Sequence, residues 1–380
     1  MKRKYIEIGF IIAILVIIAA LVLNFTKQDF KYQQYDTGSI HYVKAQTVEI
    51  LEQDLTLSGS DGEYLTGYQK IRVQLLEGDR KGELLEVDNY VTVEHHVVAR
   101  QGQNLIICAD EPENAEPYYS VYNYSRSGGI WILVIAFLAL VYLVGRKQGF
   151  MSCIGLLFTM CMIFCYLVPQ LYNGKDGVAA SIVTIILSCA VSSFCISGLT
   201  QKALCNMISA IAGGILVGVL FKICTAVLDL NGCSMDEAES LVLIAQATGL
   251  KLESVLYSGV MVSSLGAVMD IAVSIGASLQ EIVSLKPEIK QKELFRSGMN
   301  IGRDAIGTMT NTLILAFAGG TLATLLILIS YGVQFHQLVS SNFLAIEIAQ
   351  GLAGSAAIVL TVPISAFVNA VGRSFLHKYH

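Results

Sequence analysis

Long runs of apolar residues, separated by short polar stretches, dominate the pattern along most of the chain. Residues 8–24, "IGFIIAILVIIAALVLN", follow the basic start "MKRK", and further runs lie at 129–145, 150–171, 178–198, 205–228, 254–277, 305–331 and 343–370. Each approaches or exceeds the ~20 residues that an α-helix needs to cross a hydrocarbon core. The first run is followed by no small-x-small cleavage motif, so an uncleaved signal-anchor helix is expected over residues 1–27. Residues 28–125 break the pattern. "YQKIRVQLLEG" and "DNYVTVEHHVVA" alternate, "QNLIICA" is a short apolar run, and "SGSDGE", "EGDRKGE" and "RQGQ" are turn signals between them. Five or six short strands over about a hundred residues predict a small antiparallel barrel or sandwich. The expected fold is thus an all-α membrane bundle of about eight helices, 126–380 supplying seven, with a small all-β domain inserted after the first.

Composition agrees: 54% of the 380 residues are hydrophobic and 14% charged, far from the quarter or so charged residues of a soluble domain. Glycine is frequent at 33 residues, which suits close helix packing, and Gly214 with Gly218 makes a small-xxx-small contact. The placement of charge sets an orientation. With the amino terminus in the cytoplasm, the inner loops and termini carry 13 Lys/Arg (from Lys2 to Lys378) and the short outer loops only Lys175 and Lys251. Both termini are then cytoplasmic, and 28–125 is extracytoplasmic with 17 Asp/Glu against seven Lys/Arg. The setting implied is a cell membrane with the basic loops on its cytoplasmic side.

Two connecting stretches read as amphipathic helices. In 234–250, Ser234 and Glu237 have capping-box spacing and Gly249 marks the end. In 279–303, a basic stretch offers Ile289, Leu294, Phe295 and Met299 as an apolar side for the headgroup boundary. Eight of nine cysteines fall outside the acidic domain and no Cys-x-x-Cys pair occurs, so neither disulfide nor metal is expected. His95 and His96, neighbours on one expected strand, point to opposite faces and cannot form one metal site. No cofactor, nucleic-acid partner or enzymatic activity is expected, since no Ser/His/Asp set or phosphate-binding glycine loop is present.

One carboxylate carries the functional argument. Asp270 stands in "GAVMDIAVS", where a charge costs about 3 kcal/mol on insertion scales. Ser263, Gly266, Ala267, Ser274 and Ala277 share its helical face, while Val262, Leu265, Met269, Ile271 and Val273 lie opposite. The small, polar stripe is expected to face protein and the bulky one lipid. The following run opens "GRDAIGTMTNTLILAFAGG". Started near Ala305, it places Thr308, Asn311 and Thr312 at about the depth of Asp270, roughly 5–10 Å inside the boundary. Arg303 and Asp304 then act as interfacial anchor and helix-start carboxylate. A buried Asp–Thr/Asn cluster of this kind is poised to exchange a proton or hold a monovalent cation.

"SLGAVMDIAVSI" and "GRDAIGTMTNTLILAFAGG", with "EGDRKGE", "VDN" and "LTVPISAFV", resemble the YibE/F family of bacterial multi-pass membrane proteins over nearly the whole chain. That resemblance implies location and topology rather than a reaction, and it directs attention to Gly266, Asp270, Arg303, Asp304, Gly307, Thr308, Thr310 and Asn311. More distantly, one helix, an external domain and a bundle with an intramembrane Asp are similar to half of a proton-driven SecD/SecF or RND-type exporter. Here seven spans follow the domain rather than five. Two functions are therefore expected in competition. One is a proton- or cation-coupled transport component centred on Asp270. The other is a non-transporting scaffold or sensor whose external domain binds an envelope partner; besides the bilayer, the partners expected are an envelope protein or a second membrane subunit.

Overall fold

The structure, a computed structural model, describes residues 2–28, 38–59, 64–78, 80–112 and 116–376; the turn residues 60–63 and 79 and the basic Lys378 lie outside them. The described residues form two compact units, one of residues 33–140 and one of residues 1–32 with 141–380.

The first unit holds a closed five-stranded barrel. Strands β1 (Ile40–Ser58), β2 (Tyr64–Leu75), β3 (Leu84–Val91), β4 (Asn104–Asp110) and β5 (Tyr118–Tyr124) are ordered β1-β2-β3-β5-β4, and β4 pairs back to β1. This is the strand order of an OB-type barrel. It departs from the expected all-antiparallel sheet at one seam, where β3 and β5 run parallel. The alternation seen in the sequence sets which side is buried. Ile71, Val73, Val87, Leu105 and Ile107 fill the interior, while Lys70 and Arg72 point outward to Glu86 and Glu49. Gly67 lies at φ 141°, where the backbone carbonyl of Asp54 leaves no room for a Cβ, so only glycine fits this position of the β1–β2 hairpin.

His95 and His96 are not in a strand. β3 ends at Val91, and residues 92–100 cross the barrel as an irregular segment. Side chains hold that segment in place of a ladder. Buried Gln69 accepts from the Ala99 amide at 2.9 Å and donates to its carbonyl at 3.2 Å, and Asn89 donates to the Val97 carbonyl at 2.8 Å. Val97 and Ala99 are thereby drawn into the core, and the histidines between Thr92 and Val97 are left in a bend.

On the outer surface Arg80 gathers Glu83 and Glu111 at 2.7 Å, together with Tyr119, and His41 reaches Glu111 at 3.3 Å. Hydrogen bonds from Arg80 hold the Glu83 carboxyl below its ordinary range, and those from Tyr119 and then Arg80 do the same for Glu111. A carboxylate whose folded pKa lies below its unfolded value stabilises above the unfolded value of about 4.3, and that stability fades as pH falls through the folded one. Thermal unfolding of the barrel should accordingly shift down below about pH 4.5. Arg80→Gln should flatten that dependence, and an unchanged pH slope in the variant would contradict it.

The second unit is helical: α1 (Lys2–Thr26), α2 (Ser127–Met162, of which residues from 141 onward belong here), α3 (Val168–Tyr172), α4 (Gly177–Ser197), α5 (Gln201–Val227), α6 (Ala238–Thr248), α7 (Leu252–Leu285), α8 (Gln291–Gly320), α9 (Leu322–Ser330), α10 (Phe335–Val339) and α11 (Asn342–Leu376). Among the described residues six helices are long and apolar enough to cross a membrane, or seven if α8 and α9, bent by 50° at their junction, make one span. The expected runs 129–145 and 150–171 fall together in one stretch, Ser127–Tyr172, of 46 residues. Drawn out straight it would be about 69 Å long, twice a hydrocarbon core of ~30 Å. It is broken at Arg146, whose φ of 47° and ψ of −132° belong to a tight turn and not to a helix. Gly149 consequently meets the Val141 carbonyl, and Tyr142 stacks edge-on with Phe150 at 6.5 Å. Further on, a widened turn at Ile163–Leu167 precedes Pro169, whose ring has no N–H to give to the ladder and would crowd the carbonyl four residues back.

Other boundaries follow local chemistry. Asp176 caps α4 by accepting from the amides of Val178 and Ala179, and Thr200 caps α5 through Ala203. Gly249 ends α6 in the left-handed region, as expected, but the Ser234–Glu237 box does not form. Ser234 instead closes a box with Asn231 around a single 3-10 turn, because Met235 is extended and starts the chain afresh. The stretch 279–303 is not a separate surface helix either. It is the end of α7, a turn at 286–290 and the part of α8 from Gln291 to Arg303, with Ile289 and Leu294 buried in the bundle core.

Backbone approach organises the core. On α5, Gly213 faces Val268 of α7 and Thr361 of α11, a Cβ added at Gly214 would come within 2.9 Å of Ile185 of α4, and one at Gly218 within 3.1 Å of Met261 of α7. Gly276 of α7 lies against Asn206 of α5. Gly298 and Gly302 of α8 receive Ala366 and Val362 of α11. Lipid supplies no hydrophobic drive for association, so close contact at small residues is what holds such helices together. Gly213→Ala should lower stability by about 1–3 kcal/mol, the usual range for overpacking. Gly259→Ala, where a Cβ meets only open space, should be silent. Thermal midpoints in detergent compare the two.

Candidate functional site

α7 carries Asp270 in its middle third, fifteen residues or about 22 Å from its end at Leu285. The rotation of the helix is opposite to that expected. Leu265, Val268, Ile271, Ala272 and Ile275 are buried, whereas Ser263, Gly266, Asp270 and Ser274 are exposed. The cause lies on the neighbouring helix: the α5 glycines form the small surface at this contact, so α7 turns its bulky side to them. Asp270 has no hydrogen-bond or ion-pair partner among the described residues, and the space over Gly266 is open.

α8 presents a matching face. Arg303, Asp304, Gly307, Thr308, Asn311 and Thr312 are all exposed. Asp304 is not a helix-start residue, because α8 begins at Gln291 and runs on through it, seated on α11 by Gly298 and Gly302. Leu279 of α7 touches the Gly298 position of α8, and the two helices are antiparallel about the turn at 286–290. Nine residues along each from that contact bring Asp270 level with Gly307, and Gly266 comes level with Asn311 one turn further on. Along the antiparallel pair Asp270 and the Thr/Asn set thus lie within about one and a half turns of each other, but they form no buried cluster. Thr308 donates to the Ala305 carbonyl at 3.0 Å and Thr312 to the Thr308 carbonyl at 2.8 Å, so both hydroxyls serve their own helix. Ser263 does likewise to Val260 at 3.1 Å, and Arg303 bonds Asn300 at 3.2 Å. The Thr310 hydroxyl is buried without a partner.

The result is a polar face on two adjacent membrane-length helices, with an unpaired carboxylate at its middle. Hydrocarbon is a poor neighbour for it, so the arrangement suits a hydrated groove or a second protein surface.

Two polar features were not singled out from the sequence. Ser181, Thr184, Ser188 and Ser192 recur at helical spacing on α4 and are buried, with Asn206 and Ser209 on α5, Ser264 on α7, and Ser355, Thr361 and Ser365 on α11. Several of these make no hydrogen bond among the described residues, including both side-chain atoms of Asn206. The Ser/Thr periodicity of "SIVTIILSCAVS" was the available signal. Glu347 is the second, a carboxylate between Ile346 and Ile348 on α11 that borders two cavities of about 250 and 270 Å³.

Several long apolar helices with small-residue contacts define a multi-pass membrane protein. The sequence profile of YibE/F-like proteins matches residues 133–374, well over half of the chain, and the chain belongs to that family. The match covers the Asp270 and Thr308–Asn311 motifs and stops short of the barrel, whose "EGDRKGE" and "VDN" lie outside it. No curated protein and no solved structure matches the chain.

If the α7–α8 face is hydrated, cysteines at Ser274 and Asn311 should react with a membrane-impermeant maleimide in vesicles, while one at buried Ala357 should not. Equal protection of all three would mean that protein or lipid seals the face.

Proposed function

We propose that this YibE/F-like protein is a proton- or cation-coupled transport component of a bacterial plasma membrane, with Asp270 as the coupling group. The observation that carries the proposal is the unpaired Asp270 carboxylate in the middle third of a membrane-length helix, level with Gly307 on the exposed polar face of α8. A carboxylate there can bind a proton or a monovalent cation, and Thr308 and Asn311 supply oxygens at nearby levels. Ser263, Gly266 and Gly307 leave the space for such an ion, and Arg303, Asp304 and Thr310 flank it. No nucleophile or cofactor chemistry enters this function. In this reading there are eight spans, with the 46-residue stretch divided at Arg146 and α8–α9 counted once; an even number sets both termini on one side, and the basic inner loops favour the cytoplasm for them and the outside for residues 28–125.

Proteoliposomes carrying an imposed pH gradient test the assignment. Asp270→Asn keeps size and hydrogen bonding but cannot titrate, and flux should fall to that of protein-free liposomes. Unchanged flux in a folded variant would remove Asp270 from the coupling role.

A second reading rests on the barrel. Tyr42, Tyr90, Tyr118 and Tyr122 are each about half exposed on its surface, with Tyr42 and Tyr122 in edge contact at 4.7 Å. Exposed tyrosine is common where proteins meet. In this reading the barrel docks an envelope protein and the bundle is a scaffold, and Asp270→Asn leaves function intact.

A further inference from the structure

Within the helical unit, Glu347 of α11 is a carboxylate that the proposed coupling does not use. It lies five residues into α11, about 7.5 Å along the helix, and makes no hydrogen bond or ion pair among the described residues. On one side it borders a cavity of about 250 Å³ in the 50° elbow between α8 and α9, walled by Ile314, Phe317, Leu325, Leu344 and Ile348. Thr321, which also lines the elbow, donates its hydroxyl to the Phe317 and Ala318 carbonyls of its own helix. At Gly351 an added Cβ would meet the Phe317 ring at 3.8 Å, so the glycine leaves the elbow open beside that ring. On the other side Glu347 borders a cavity of about 270 Å³ between α7, α11 and the segment leading into α6. Asp236 and Glu237 line that second cavity and are exposed. Glu347 thus joins an apolar elbow to an acidic opening.

Those two sides select the ligand. An anion is repelled by the carboxylates, and a hydrocarbon chain fills the elbow but leaves Glu347 unpaired. A metal ion needs several ligands in one shell, and no set of three His, Cys, Asp or Glu side chains among the described residues is placed to hold one. A small hydrated ammonium ion leaves the elbow wall against water. An ammonium carried on an apolar body meets both sides. We propose that Glu347 and the α8–α9 elbow form a binding site for hydrophobic organic cations. The ammonium pairs with the Glu347 carboxylate, and the apolar body lies along Phe317, Leu344 and Ile348. Asp236 and Glu237 concentrate cations at the opening through their field. The site does not involve Asp270, so it stands or falls separately from the coupling assignment.

The test uses the full-length protein in nanodiscs of zwitterionic lipid and three probes. These are phenylbutyltrimethylammonium, its uncharged isostere with a tert-butyl group in place of the trimethylammonium, and tetramethylammonium. Equilibrium dialysis should show saturable binding of the first alone, above that of protein-free nanodiscs. Glu347→Gln should weaken that binding roughly tenfold. Gly351→Leu, which fills the elbow and keeps the carboxylate, should weaken it to a similar degree. An aryl azide derivative of the first probe should label peptides containing Phe317, Leu344 or Ile348, and that labelling of the wild type decides the matter alone if the variants fail to fold. Equal binding of the uncharged isostere would overturn the proposal in favour of a lipid-filled groove. Displacement by an equal concentration of tetramethylammonium would overturn it in favour of an acidic surface alone. Unchanged affinity in Glu347→Gln, or labelling confined to other helices, would also overturn it.

Discussion

The bundle depends on how closely α5, α7 and α11 approach one another. In water, apolar side chains associate because water rejects them. In lipid that drive is absent, and helices hold together through dense contact and hydrogen bonds. Gly213 is the pivot, with Val268 on one side and Thr361 on the other. Gly214 and Gly218 extend the same surface toward Ile185 and Met261, and Gly276 returns it from α7 to Asn206. Glycines on one helix admit branched and long side chains from the next, so the rotation of each helix about its axis is set by its neighbour's smallest residues.

That rotation governs the rest. Turning Leu265, Val268 and Ile271 inward turns Ser263, Gly266, Asp270 and Ser274 outward. Seating Gly298 and Gly302 on α11 likewise leaves Thr308, Asn311 and Thr312 on the outer side of α8. The polar face is thus a by-product of apolar packing, and its ionisable group stands unpaired where the surroundings of the helix decide its chemistry. The interior carries a different polarity, hydroxyls and one carboxamide without charge, of the kind that bonds between helices.

The barrel follows rules of an aqueous core. Alternation along β2 and β3 separates Ile71, Val73 and Val87 from Lys70, Arg72 and Glu86, and the two buried amides Gln69 and Asn89 hold a segment that no strand pairs. Its separation from the membrane helices was legible in composition alone, as were the strand-like alternation and the turn at "EGDRKGE". The fate of "EHHVV" was not, because nothing local shows that Asn89 and Gln69 will capture the Val97 and Ala99 backbone from across the barrel.

By itself the sequence determined what is periodic or compositional: the apolar runs, the acidic alternating segment between them, and the family motifs around Asp270 and Asn311. These depend on one residue's relation to its near neighbours in the chain. Tertiary structure alone decided the barrel's parallel β3–β5 seam, the reversal at Arg146, the continuation of α8 through Asp304 and the outward aspect of Asp270. Each of these is set by which surface a distant element offers, and for α7 that surface was a row of glycines more than fifty residues away.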